Sequence, residues 1–197
     1  MTVFHLVRHA EHDLLGRVLT GRMPGVPLNE RGREQAVRLA RHFASRAVAA
    51  VVSSPCQRAQ ETAVPIAAAL GLEVATDAGL DEIDFGDWTG MTFEALQGVP
   101  GWQAWNQFRG TAPTPGGEMM LEALGRALRC LARWREAVPD GEVVLVGHQD
   151  VLKAVLVHSL GAPIDLMQRI ELGAGSCSVL RVFGDGRVLM ESCNLAH

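Results

Sequence analysis

Tyrosine is absent from the 197 residues, and aromatic side chains make up only 5% of them, so no phenolic acid or base is on offer. No run of ~18 apolar residues occurs, so nothing in the chain is expected to cross a membrane. Charge of one sign is also lacking. Lys and Arg number 18 against 22 Asp and Glu, a formal net charge of −4, which gives no electrostatic case for a nucleic-acid partner. None of the four cysteines, Cys56, Cys130, Cys177 and Cys193, pairs with another at CxxC spacing, which argues against a zinc ribbon or a thioredoxin-type redox site. The opening MTVFHLVRHAEHD has no long apolar stretch of the signal-peptide kind. A reducing, cytoplasmic setting is therefore expected, with cysteines serving as small hydrophobes. No repeat, low-complexity tract or linker interrupts the sequence.

What is present is apolar residues in quantity. They make up 48% of the chain against 20% charged, which excludes a disordered protein. A chain of this size buries roughly 70% of its surface on folding, enough for a core without a disulfide or metal staple. One domain over residues 1–197 is the expectation.

Short apolar runs alternate with helical patterns, which points to an α/β fold with a largely parallel sheet. Phe4–Val7, Ala50–Ser53 and Glu142–Val146 read as buried strands, and Glu73–Thr76 as a short one. Asn29 is placed to cap a helix whose apolar positions are Ala36, Leu39, Ala40 and Phe43. Arg58–Leu70 is expected to be a helix kinked at Pro65. Leu121, Leu124, Leu128, Leu131 and Ala132 mark a long amphipathic helix. Val151–Leu160 is a helix closed by Gly161. Gly184-Asp185-Gly186 is a hairpin signal between two final strands. Residues 80–90 are turn-rich. Residues 98–117, with Trp102, Trp105, Pro113 and Pro115, suggest an insertion that packs as a lid.

One event recurs three times. An apolar strand ends and polar residues follow at once: Arg8-His9, then Ser53-Ser54 with Arg58 beyond, then His148. Ligands of open α/β sheets bind beyond the carboxyl ends of the strands. Two arginines and two histidines can therefore meet around one small volume. Arginine presents a planar, permanently charged fork suited to phosphate. A neutral imidazole among such groups can attack phosphorus, and the nearby positive charge keeps it neutral. A departing alcohol then needs an acid. Glu82 is the best candidate, with Asp81, Asp84 and Asp87 close by in sequence.

LVRHAE at 6–11, SSPCQRAQETA at 53–63, LDEIDFGDWTG at 80–90 and VLVGH at 144–148, in that order, resemble the histidine phosphatase superfamily, the phosphoglycerate-mutase-like group. The resemblance implies a three-layer α/β/α sandwich around a mostly parallel sheet. It implies His9 as a nucleophile that becomes phosphohistidine, and Glu82 as proton donor. Arg8, Arg58 and His148 would complete the phosphate pocket, Thr20 and Gly21 would line its mouth, and no cofactor or metal would be required. The sequence departs from the family pattern at Ala10, where glycine is usual. Leu15 replaces a common phosphate-contacting Asn, and Gln149 a common Gly whose place its amide could fill.

Several residues carry a second, plainer reading. His5, His9 and His12 could suggest a metal site, but His5 and His9 would share a face only on a helix, and this segment reads as strand then loop. Glu118 is either a second acid or a helix N-terminal charge, the latter preferred. Arg22 either greets an anionic substrate or is solvated. Trp102 and Trp105 read as packing residues rather than a stacking platform. A small phosphorylated metabolite is the expected substrate and hydrolysis the expected reaction. The alternatives are a phosphoglycerate mutase, or a non-catalytic binding protein on the same fold.

Overall fold

The computed structural model describes residues 1–196. Six strands form one sheet: β1 (Thr2–Arg8), β2 (Val48–Ser53), β3 (Val74–Thr76), β4 (Glu142–Gly147), β5 (Cys177–Val182) and β6 (Val188–Leu195). Their spatial order is β3-β2-β4-β1-β5-β6. The first four of these are parallel. The last two run antiparallel, and the expected glycine turn joins them as a hairpin.

Successive strand side chains point to opposite faces, and the core divides accordingly. Phe4, Leu6, Val52, Val143 and Leu145 face one layer. Val7, Val51, Val144 and Val146 face the other. Against the second face lie helices α1 (Glu30–Phe43) and α2 (Gln57–Leu70), through Leu39, Phe43, Ala63 and Ile66. Against the first lie α5 (Met120–Ala137) and α6 (Gln149–Ser159), and the short helices α3 (Phe93–Leu96) and α4 (Trp102–Gln107) extend that layer. This is the three-layer α/β/α sandwich. Its accessible surface is 8906 Å², close to the ~9,000 Å² that size scaling gives for this mass.

Asn29 caps α1 as expected, accepting from the Gly32 amide at 2.8 Å. Gly32 also explains how the loop after β1 is held. A Cβ there would lie 2.0 Å from the Glu11 carbonyl oxygen, so only glycine lets α1 approach that loop. One helix runs through Pro65. The buried face of α5 differs from the expected stripe: it is Met120, Ala123, Leu124, Ala127, Cys130 and Leu131. Leu121 is 49% exposed, and Ala132 also faces outward. The small residues Ala123 and Ala127 turn inward in their place.

Candidate active site

The strand register puts the chemistry in one place. Arg8 pairs with Gly147, and Val146 lies level with both Val7 and Ser53. The residues that follow these strands, His9, Ser54 and His148, therefore emerge together. Backbone bonds lock the level: His9 N–H to the Gly147 carbonyl at 2.9 Å, and Ser54 N–H to the Val146 carbonyl at 3.0 Å. Arg58 arrives from the first turn of α2.

Arg8, His9 and Arg58 line a cavity of about 410 Å³ together with Leu15, Thr20, Gly21, Glu82 and Gln149. His148 and Ser54 are fully buried and are not part of its lining. The His9 and His148 ring centroids are 5.1 Å apart. His9 is 4% exposed, and its Nδ1 sits 2.8 Å from the Ala10 carbonyl oxygen. A carbonyl can only accept, so Nδ1 carries the proton and Nε2 keeps a free lone pair. Burial, followed by the charges of Arg58 and Arg8, holds His9 well below the ordinary imidazole range. It is a neutral base at physiological pH.

Arg8 and Arg58 are buried and only partly satisfied by the protein. Arg8 Nη1 donates to the Leu172 carbonyl. Arg58 Nη2 donates to the Gly21 carbonyl at 2.6 Å and to His148 Nδ1 at 3.0 Å. Arg8 Nε, Arg58 Nε and Arg58 Nη1 are buried with no hydrogen-bond partner in the protein. Buried donors are almost always paired, so three unpaired guanidinium donors leave Arg8 and Arg58 with capacity to hold an anion.

Glu82 reaches the cavity from the turn-rich loop and is 8% exposed. Its Oε1 accepts the Ile83 amide at 3.0 Å. Burial, and then the negative charge of Asp150, push its carboxyl up to about 7. A carboxyl group at that value can hold and release a proton near neutrality. The Glu82 backbone is clamped as well: Arg22 Nε and Arg126 Nη2 donate to its carbonyl oxygen at 2.8 and 3.0 Å. Glu118 binds both arginines, at 2.8 Å to Arg22 and 2.8 Å to Arg126 Nε, and their charge keeps it below the usual carboxylate range. Glu118 and Arg22 thus brace the Glu82 backbone.

The remaining sequence candidates fall at different distances from the cluster. Ala10 is fully buried with Leu28 and Ala36, which accounts for a methyl where glycine is usual. Gly21 acts through its carbonyl on Arg58, and its φ of +45 disfavours a side chain, whose Cβ would lie 2.8 Å from the Phe85 ring. Gln149 lines the cavity, but its amide donates to Glu171 at 3.1 Å. His5 turns to Glu142 and packs on Phe43, away from His9. Trp102 and Trp105 stack on each other and Arg109 covers Trp105 at 3.3 Å, so Trp105 is held between two groups.

Sequence reasoning missed Asp150, Lys153 and Arg109, and weighed His12 only as a metal ligand; all four line the cavity. Burial and the arginines hold His12 at about 4. Among the described residues, Cys56, Asp81 and His148 bring potential metal-ligand atoms within 4.8 Å of one another. The Ser54 hydroxyl already joins two of them, at 2.9 Å from His148 Nε2 and 2.7 Å from Asp81 Oδ1.

Comparison with known proteins places this geometry. The family model for the histidine phosphatase superfamily (branch 1) matches residues 4–194. A bifunctional protein of Mycobacterium tuberculosis is 39% identical over 186 residues, 92% of this chain and 50% of that protein. The chain thus spans about half the length of the first curated relatives it matches. The native structure of a mycobacterial glucosyl-3-phosphoglycerate phosphatase superposes with a TM-score of 0.89 at 28% identity, covering 98% of this chain and 99% of that one. The alpha-ribazole phosphatase of Shigella flexneri gives 0.87 at 26% identity, covering 98% and 96%.

Proposed function

The chain belongs to branch 1 of the histidine phosphatase superfamily, and from that membership we propose that it is a phosphomonoesterase working through a phosphohistidine on His9. The observation that carries this reading is a neutral His9 whose Nε2 bears no proton, set within the field of Arg58 and Arg8, with three guanidinium donors of those arginines unpaired.

A phosphoryl group enters with its oxygens on Arg8 and Arg58. His9 Nε2 attacks phosphorus, the P–O bond to the alcohol breaks, and the departing oxygen takes the proton of Glu82. In the second half, water gives a proton to the Glu82 carboxylate and attacks phosphorus. The P–N bond breaks and inorganic phosphate leaves. Throughout, the arginines hold the charge that builds on the equatorial oxygens. They supply the positive charge that a metal ion provides in other phosphatases, so the reaction is expected to proceed in a chelator.

A small phosphorylated metabolite fits the cavity, and the net charge of −4 offers nothing to nucleic acid. No helix among the described residues is long and apolar enough to cross a membrane. Free thiols at Cys56, Cys130, Cys177 and Cys193 suit a cytoplasmic setting.

The test is a screen of phosphate monoesters with acid-quench trapping of labelled phosphoenzyme, with His9→Ala as control. The wild-type protein should turn over p-nitrophenyl phosphate and trap label, and His9→Ala should do neither. Normal turnover in that variant would refute the nucleophile.

A further inference from the structure

A phosphate ester has two halves, and the cluster around His9 accounts for one. The wall beyond it has a definite charge pattern. Besides Arg8 and Arg58, the cavity holds two cations, Arg109 and Lys153. Both are buried and both are already committed to a carboxylate. Arg109 Nη1 lies 2.9 Å from Asp150 Oδ2, while its Nη2 donates to Asn106 at 3.0 Å. Lys153 Nζ lies 3.4 Å from Glu171 Oε2. Asp150 and Lys153 stand three residues apart on α6, so the two pairs sit side by side. The same cavity is lined by Leu15, Val18 and Phe93, all partly exposed.

We propose that the alcohol half of the substrate is uncharged: a hydroxyl-bearing group with an apolar side, of nucleoside or glycoside size, whose ester carries negative charge on the phosphoryl group alone. This rests on the phosphomonoesterase reading and narrows it. A carboxylate or second phosphate on the alcohol would meet Asp150 and Glu171, and beyond the two arginines assigned to the phosphoryl group the cavity's described cations, Arg109 and Lys153, each already face a carboxylate. A neutral polyol meets polar side chains there, Asn106 and Gln149 beside the two ion pairs, and brings no charge for Asp150 and Glu171 to repel. The cavity, about 410 Å³, falls within the usual range for small-molecule sites and exceeds what a phosphoryl group alone fills. Selection here is by repulsion as much as by attraction.

The matched probes are glycerol 3-phosphate and 3-phosphoglycerate, which differ at one carbon, a hydroxymethyl against a carboxylate. At pH 7 kcat/KM should favour glycerol 3-phosphate by at least about tenfold, and a nucleoside 5′-monophosphate should exceed both. Glu171→Gln releases Lys153, so it should raise the ratio of 3-phosphoglycerate to glycerol 3-phosphate about fivefold or more. Glu171 is 74% exposed, so its replacement disturbs no packing. Equal or better use of 3-phosphoglycerate by the wild-type protein, or a ratio unmoved in Glu171→Gln, overturns the proposal. In either case His9-dependent turnover of p-nitrophenyl phosphate would leave the phosphatase reading standing. Loss of that turnover as well would remove both.

Discussion

Arg58 Nη2 lies 3.0 Å from His148 Nδ1, and a guanidinium can only donate, so this one contact fixes the imidazole's tautomer. The proton must then reside on Nε2, which donates to Ser54 Oγ at 2.9 Å. Ser54 in turn gives its own hydrogen to Asp81 Oδ1 at 2.7 Å. A directional chain thus runs from Arg58 through His148 to Asp81, with every proton assigned by geometry. Burial and Arg58 keep His148 well below the ordinary imidazole range, so it is neutral.

Ser54→Ala removes the acceptor for a buried N–H. It should cost about 1–3 kcal/mol of stability, read as a lowered urea midpoint. The specific signature is spectroscopic. Nitrogen chemical shifts of His148 should report an Nε2-protonated ring in the wild-type protein and a tautomer mixture in the variant. An Nδ1-protonated ring in the wild-type protein would overturn the assignment.

Arg58→Ala should damage catalysis more than Arg22→Ala. Arg58 has two unpaired buried donors; if they hold the phosphoryl group as proposed, losing such charge-directed donors costs about 10²–10³-fold in kcat. Arg22 touches only the Glu82 carbonyl, Glu118 and Asp84. Its loss should therefore slow turnover by no more than about tenfold, the scale of one hydrogen bond. Comparable losses in kcat across several substrates would contradict the ranking.

His12 makes stability fall with acid. It is neutral when folded, at about 4, against 6.5 when unfolded. Its depressed value means that the unfolded chain binds the extra proton, so stability is full above pH 6.5 and is lost as pH falls toward 4. His12→Gln cannot titrate and should lose about 1–3 kcal/mol less than the wild-type protein between pH 7 and pH 4. Urea melts at both pH values measure this. Parallel losses in the two proteins would show that His12 is not the group responsible.

Much of this architecture was legible from the chain. The strands that end at Arg8-His9, Ser53-Ser54 and Gly147-His148 were legible because each is a short apolar run, a local signal. The cap at Asn29, the stop at Gly161 and the final hairpin are equally local. What escaped depends on packing at long range. Asp150 becomes a neighbour of Glu82 only once α6 docks, and Arg109 meets Asp150 across 41 residues. Lys153 did leave a signal, a lone cation inside the otherwise apolar run Val151–Val157. The face of α5 was misjudged because leucine outranks alanine in any hydrophobic count. Close helix–sheet contact prefers the smaller residue, and Leu121 was left outside.

Glu82 allows a test that separates an acid from a mere charge. If it protonates the departing oxygen, its value must depend on how basic that oxygen is. A phenolate leaves unaided, whereas an alkoxide needs the proton. General acid catalysis typically contributes about 10²–10⁴-fold. Glu82→Gln should then slow phosphoenzyme formation from an alkyl phosphate far more than from p-nitrophenyl phosphate, measured by rapid quench so that hydrolysis of phosphohistidine does not mask the difference. The pH dependence has a fixed sign. With the carboxyl at about 7, the protonated form dominates below that pH, so phosphoenzyme formation from alkyl esters should fall as pH rises through 7. The variant should show no such fall. Its stability should respond too: burial of a carboxyl raised from 4.5 to about 7 destabilises the fold progressively over that interval. Glu82→Gln should therefore gain stability relative to the wild-type protein at pH 8 but not at pH 4. Equal slowing of both esters would assign Glu82 a purely electrostatic role, and no slowing of either would move the acid to Asp81 or Asp84.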